Sequence, residues 1–240
     1  MKPALIEARD LNEVFFLLLK ECWNKGIQYD ITEGSNKGSK RLELCMASGM
    51  IHHPETRPLS PIMPSNIDPV TTDDYIQDYF VDYLMNPLIE NKNILHYKYA
   101  TWINEKYYNE ATNSLISQLE WCIEHFKKKG YGNNHCFITI GDPIINFEYD
   151  YSYTNETDRR TSPCLRGIDI KIKENKTILG IIYRSWDLYS GFASNMGGFQ
   201  LLNEYIANEL SIESGPLTFY SQGLHCYDYQ IKSVKQYLHI

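Results

Sequence analysis

Cys164 follows a serine and a proline in the segment SPCLRGIDIKI, and Arg159, Arg160 and Arg166 lie close to it in the chain. Cations near a thiol favour the thiolate, which is the nucleophilic form. Arg184, Ser185 and Asp187 end a β-rich stretch. A guanidinium fork beside a hydroxyl matches two oxygens of a phosphate. Asn195 precedes a helical run, and its carboxamide offers the donor and acceptor that match a uracil edge. His225 and Tyr227 stand two apart after the run PLTFYSQ. If the chain stays extended, both point to one face and could reach one sugar hydroxyl. A thiol, an anion clamp, an amide and a hydroxyl reader together suit covalent chemistry on a nucleotide.

Each of these residues also has a purely structural reading. Cys164 could be an inert packed thiol, as most free cysteines are. Arg184 could pair with Asp187 at a strand end. Asn195 is among the best N-cap residues, with the helix expected from about Met196. His225 and Tyr227 could be a half-buried polar pair. A thiol protease is a further reading of Cys, His and Asn, but the local sequence typical of such a cysteine is missing. His52, His53, His96 and His135 show no metal-ligand spacing, and the six cysteines form no CxxC pair, so no metal is expected.

The elements that must position these groups follow from periodicity. Val14, Phe15, Leu18, Leu19 and Cys22 predict a helix over 11–24, stopped by Gly26. The segment EGSNKGSKRLELCMASGMI reads as a turn-rich loop leading into a strand, and HHPETRPLSPIMPSNIDP, with five prolines, as an irregular connector. Thr72 can cap a helix from Asp73 to about Met85. A longer helix is expected from about Asn109 to Lys128, ending at Gly130. CFITI reads as a strand. GIDIKIK alternates isoleucine with charge, and ENK turns it into TILGIIYR, which predicts a hairpin. Phe199, Leu202, Ile206 and Leu210 give one more helix face. The expected class is α+β, one domain over 1–240, with a mixed and mostly antiparallel sheet flanked by helices.

The bulk numbers agree with that class. The chain has 240 residues, 43% hydrophobic and 22% charged, enough for one large core. A net charge of −7 argues against a nonspecific nucleic-acid surface. The apolar run near the N-terminus is too short for a membrane span and lacks a leader cleavage pattern, so a cytoplasmic protein with free thiols is expected. No GxGxxG or P-loop is present.

In order and spacing, Pro163-Cys164, Arg184-Ser185-Trp186-Asp187, Gly191 to Asn195, and His225-Cys226-Tyr227 resemble the thymidylate synthase family, and most closely its short archaeal-type branch. The resemblance implies a homodimer with sheets packed back to back. It implies reductive methylation of dUMP to dTMP, with methylenetetrahydrofolate or a methylenetetrahydromethanopterin-type pterin as donor. Cys164 would attack carbon 6 of the uracil. Arg184 and Ser185 would hold the phosphate, Asn195 would read the base, and His225 and Tyr227 would bind the 3′-hydroxyl. Asp187, near Gly191, would bond the pterin.

The chain departs from the family at several places. The adjacent arginines that a partner subunit normally lends are replaced by Asn133-Asn134, leaving Arg159, Arg160 or Arg41 as substitutes. The family's Tyr-Gly pair becomes Tyr99-Ala100, and Asp78 stands loosely where a glutamate organises proton transfer. Only residues 228–240 follow Tyr227, so closure over the pterin is expected to be less complete than in members with a C-terminal extension. Water reaching the exocyclic methylene would give a hydroxymethylated product. A pyrimidine nucleotide hydroxymethylase is therefore the first alternative, and a nucleotide-binding protein without turnover the second.

Overall fold

The apolar alternation of Ile168, Ile170 and Ile172 drives one face of a long strand into the core, and a sheet forms around it. The computed structural model describes residues 2–32, 36–88, 98–143 and 163–240. Strands β1 (Ala4–Ala8), β4 (Ala47–Ile51), β7 (Phe137–Thr139), β8 (Leu165–Lys173), β9 (Lys176–Tyr183) and β11 (Glu213–Ser221) make a six-stranded sheet in the order β1-β4-β11-β9-β8-β7. β8 and β9 form the expected hairpin, its turn made by Glu174 and Asn175, both at positive φ. The sheet is mixed, because β1 runs parallel to β4 and β11 parallel to β9.

A second sheet of four strands, β10 (Trp186–Asp187), β12 (Leu224–Tyr227), β3 (Lys40–Leu44) and β2 (Ile27–Asp30), stands in that order. Helix α1 (Leu11–Lys25) packs Val14, Phe15, Leu18 and Leu19 into the core, all 0% exposed. Burying each such side chain contributes about 1.5–3 kcal/mol relative to leaving it in water. Asp10 caps α1 by accepting from the Glu13 N–H, and Gly26 ends it as expected.

Two expected helices differ in detail. Thr72 caps α2 (Asp73–Asp78) as predicted, but the helix then widens into a π-helical turn, Tyr79–Met85. The helix expected from Asn109 begins only at α4 (Gln118–Lys129). Residues before it form a hairpin of β5 (Tyr107–Asn109) and β6 (Ser114–Ile116). Asn113, at φ 51°, makes that turn, and a Ser117–Glu120 capping box fixes the true helix start. The short α3 (Ala100–Ile103) follows Tyr99.

Helix α5 (Ala193–Leu210) crosses the core face of the large sheet, burying Phe199, Leu202 and Ile206 as expected. Its glycines admit the helix that carries Asp78. A Cβ at Gly197 would lie 2.7 Å from Ile76 Cδ1, and one at Gly198 would lie 2.5 Å from Tyr79 Cδ1. Helix α6 (Ile231–Leu238) closes the described chain. Among the described residues no helix is long and apolar enough to cross a membrane.

Candidate active site

Cys164 and Arg184 meet at the ends of β8 and β9. Cys164 is half-buried, and its carbonyl accepts from the Arg184 N–H at 2.9 Å. Arg184 Nε donates to the Pro163 carbonyl at 3.2 Å, so the exposed arginine is held against the Pro-Cys segment. Cys45 is also half-buried, whereas Cys22, Cys122, Cys136 and Cys226 are buried, and the hydrogen bond with Cys22 and burial push the Cys226 thiol up.

Past Arg184 and the half-buried Ser185, the chain enters β10, which runs parallel to β12. The Trp186 N–H bonds the Gly223 carbonyl at 2.8 Å, and Asp187 registers with His225. β12 pairs in turn with β3, placing Glu43 beside His225 and Arg41 beside Tyr227. These alternate positions share one face, so Asp187, His225, Tyr227, Glu43 and Arg41 form a polar surface on the small sheet.

His225 is 2% exposed, and its Nδ1 lies 3.0 Å from the Gly223 carbonyl. A carbonyl only accepts, so Nδ1 carries the hydrogen and Nε2 is left with a lone pair. That Nε2 is buried without a hydrogen-bond partner. Burial lowers the His225 pKa to about 4, and the charge of Arg41 adds to this, against an opposing bond to Gly223. His225 is therefore a neutral acceptor at neutral pH, suited to a donated sugar hydroxyl. Tyr227 packs edge-on to it, ring centroids 4.8 Å apart. Burial raises the Tyr227 pKa, with further contributions from Asp187 and Cys164, so Cys164 lies near enough to be felt electrostatically.

Arg41 and its partners extend this surface. Arg41 Nε donates to the Tyr29 hydroxyl at 2.5 Å. Arg41 Nη2 lies 3.0 Å from Glu43 Oε2 in an ion pair that lacks hydrogen-bond alignment. Burial and the neighbouring Glu43 push the Tyr29 hydroxyl up to about 12, keeping it protonated.

Asn195 does not cap a helix. A π-helical turn over Leu188–Phe192 leads directly into α5, so Asn195 lies within the first turn. Asp187 caps instead, accepting from the N–H groups of Tyr189 and Ser190 at 3.1 Å each. Asn195 Oδ1 accepts from Trp186 Nε1 at 2.8 Å, which fixes the amide orientation and turns Nδ2 into the free donor end. Trp186 is itself held by stacking on Tyr183, centroids 3.8 Å apart and 7° from parallel.

Asp78, Tyr99, Asp187, Gly191 and Asn195 line a single cleft of about 500 Å³, walled by further tyrosines. Burial raises the Asp187 pKa, opposed by hydrogen bonds from Ser190, Gln230 and Tyr189. Tyr99 is 5% exposed, and its hydroxyl accepts from the Leu165 N–H at 3.4 Å, which ties the cleft to the residue after Cys164. Aromatic walls and an acceptor carboxylate fit a flat ring with N–H donors, such as a pterin. Asp82 lines the same cleft one helical turn from Asp78. Sequence reasoning did not single out Asp82, Glu43, Trp186 as an orienter of Asn195, or Gln230. The usable signals were the period-2 spacing of Arg41 and Glu43 and the three-residue spacing of Tyr227 and Gln230.

Arg159 and Arg160 lie outside the described residues. Asn133 closes the turn after α4, its Nδ2 donating to the Gly130 carbonyl at 2.8 Å and its Oδ1 accepting from the His135 N–H at 3.2 Å. Among the described residues no group of three or more His, Cys, Asp or Glu side chains is arranged to hold a metal ion.

The chain is similar in sequence and in fold to known proteins. A chain named "putative thymidylate synthase" from Methanosarcina mazei is 24% identical over 225 residues, covering 94% of this chain and 90% of its own. A chain of the same name from Methanocaldococcus jannaschii is 28% identical over 157 residues, covering 65% and 67% respectively. Thermostable thymidylate synthase A from Bacillus subtilis superposes with a TM-score of 0.70 over 95% of this chain and 84% of its own. Its sequence identity of 15% carries the fold alone. The thymidylate synthase family model matches residues 86–239, which takes in Cys164, Arg184, the Asp187–Asn195 side of the cleft and the His-x-Tyr strand, while Asp78 and Asp82 lie before it. This chain belongs to the thymidylate synthase family.

Proposed function

We propose that the protein is a thymidylate synthase that methylates dUMP to dTMP, over a single catalytic domain spanning 1–240. The donor of carbon and hydride is methylenetetrahydrofolate or a methanopterin-type relative. The observation that carries this reading is the junction of Cys164 with Arg184 at the strand ends, tied through Leu165 and Tyr99 to the cleft of Asp187 and Asn195.

Cys164 thiolate adds to carbon 6 of the uracil, which makes carbon 5 nucleophilic toward the methylene of the donor. Carbon 5 loses its proton, the pterin is eliminated, and its hydride converts the exocyclic methylene to methyl as the sulfur–carbon bond breaks. The pterin departs oxidised to the dihydro level. Arg184 and Ser185 hold the phosphate, and the arginine's charge favours the thiolate. Asn195 directs its amide to the base, His225 Nε2 and Tyr227 take the 3′-hydroxyl, and Asp187 accepts from the pterin ring. Asp78, with Tyr99 nearby, orders the water that takes the carbon 5 proton. Arg159, Arg160 and Arg41 are the candidates for a second phosphate contact.

A back-to-back homodimer is part of this reading. The face of the large sheet opposite α1 and α5 carries a cross-strand row of Leu5, Ser48, Tyr220 and Ile182, none of them in the buried core. Such a row suits self-association about a two-fold axis.

The test is release of tritium from dUMP labelled at carbon 5, in the presence of the methylene donor. Wild type should release it and Cys164→Ser should not. Binding of dUMP without release would make the protein a nucleotide binder without turnover.

A further inference from the structure

Gln230 is 4% exposed, and every polar atom of its side chain is engaged. Oε1 accepts from the Tyr227 N–H at 2.8 Å. Nε2 donates to Asp187 Oδ1 at 3.2 Å, to Asp187 Oδ2 at 3.1 Å and to Ser190 Oγ at 2.8 Å. The amide cannot be turned over. A flip would set an NH2 against the Tyr227 N–H and an oxygen against the carboxylate.

We infer that Gln230 is a positioning residue that ties the Asp187 carboxylate to the backbone of Tyr227, so that the pterin contact and the sugar contact are set together. This rests on the roles proposed above for Asp187 and Tyr227. The physical reason is the stiffness of the link. Asp187 already accepts from two backbone N–H groups of the π-helical turn, and Tyr227 already registers in the small sheet. One buried amide joins the two, and buried polar networks of this kind act as units. A nucleotide that moves Tyr227 therefore moves the carboxylate that awaits the pterin.

The link has an electrostatic side. Nε2 donates to the ionised form of Asp187, and so opposes the upward push of burial. Asp78 and Asp82 line the same cleft as Asp187. Tyr227, Tyr229 and Cys226 face Asp187 closely enough for its charge to raise their pKa values. Removal of the Gln230 donor adds to a site already unfavourable for a second negative charge.

The test uses Gln230→Met, which keeps the length and loses both links, and Gln230→Glu, which keeps only the acceptor for Tyr227. Dissociation of dUMP, the pH profile of kcat/KM for the pterin, and the carboxyl titration of Asp187 by 13C NMR are read for each. Gln230→Met should weaken dUMP about fivefold or more and move the acid limb up by about one pH unit. Gln230→Glu should move the limb at least as far while holding dUMP near wild type. In an Asp187→Asn background, Gln230→Met should have no further effect on pterin binding. If Gln230→Met is too unstable to study, Gln230→Glu alone decides. Wild-type profiles and titration in the soluble variants overturn the inference, because a merely structural amide would lower the melting temperature and leave the limb in place. A shifted Asp187 titration in a protein with no turnover on dUMP would support the link and overturn the reaction proposed above.

Discussion

Burial of neutral His225 makes the stability of this protein depend on pH in a way one substitution can isolate. The side chain is 2% exposed, and its pKa falls from 6.5 to about 4 on folding. Between those values the unfolded chain holds a proton that the folded chain refuses, so stability must fall as pH falls. The loss is absent above pH 6.5, grows as the pH drops, and is complete below the folded pKa. At pH 5 it amounts to one and a half pH units of proton affinity, or ~2 kcal/mol. The assay is urea unfolding of wild type and His225→Gln at pH 7.5 and pH 5. Glutamine fills a similar space and does not titrate. The packing cost of the substitution is common to both pH values and cancels. So do the depressed carboxylates Asp10, Asp73 and Glu120, which lose their own stabilisation in acid in both proteins. Wild type should lose ~2 kcal/mol more than the variant between the two pH values. Parallel losses, within about 0.5 kcal/mol, would refute the burial argument and with it the neutral Nε2 acceptor assigned to the sugar hydroxyl.

Three further substitutions probe the scaffold and the proposed base contact of Asn195. Gly198→Ala would set a Cβ 2.5 Å from the Tyr79 ring, in the wall of the cleft. The gain in helix propensity is outweighed, and a net loss of ~1–2 kcal/mol in thermal or urea unfolding is expected, with a raised KM for the pterin. Ser117→Ala removes the capping box of α4 and should cost ~1 kcal/mol, read by urea unfolding, with dUMP affinity unchanged. Asn195→Asp keeps an acceptor for Trp186 Nε1 but replaces the donor end by a second acceptor. The preference for dUMP over dCMP should fall by roughly a hundredfold in calorimetric binding, and an unchanged ratio would remove Asn195 from base recognition.

The sequence displayed most of the proposed catalytic set because its members sit at strand ends with local signals. Pro163-Cys164, Arg184 and His225-x-Tyr227 each border a run with period two, and the hairpin of β8 and β9 is written in alternating isoleucines. The π-helical turn after Asp187 was not legible. It moved the start of α5 ahead of Asn195 and passed the capping role to Asp187. Wider helical turns have no distinctive residue pattern, and they often stand at functional sites. The hairpin before α4 was also misread as helix, since its turn rests on the left-handed conformation of a single asparagine, Asn113. Arg41 and Glu43 could be placed beside His225 and Tyr227 only by the β3–β12 pairing, which joins opposite ends of the chain. Such non-local pairing is set by the whole sheet and leaves little trace in either strand alone.

The central claim is that Cys164 and the cleft beside it convert dUMP to dTMP. The measurement that tests it most directly is identification, by mass, of the nucleotide formed from dUMP and methylenetetrahydrofolate, with Cys164→Ser as control. The account predicts dTMP and dihydrofolate from wild type and unchanged dUMP from the variant. 5-Hydroxymethyl-dUMP with tetrahydrofolate, or dTMP formed equally well without the Cys164 thiol, would contradict it.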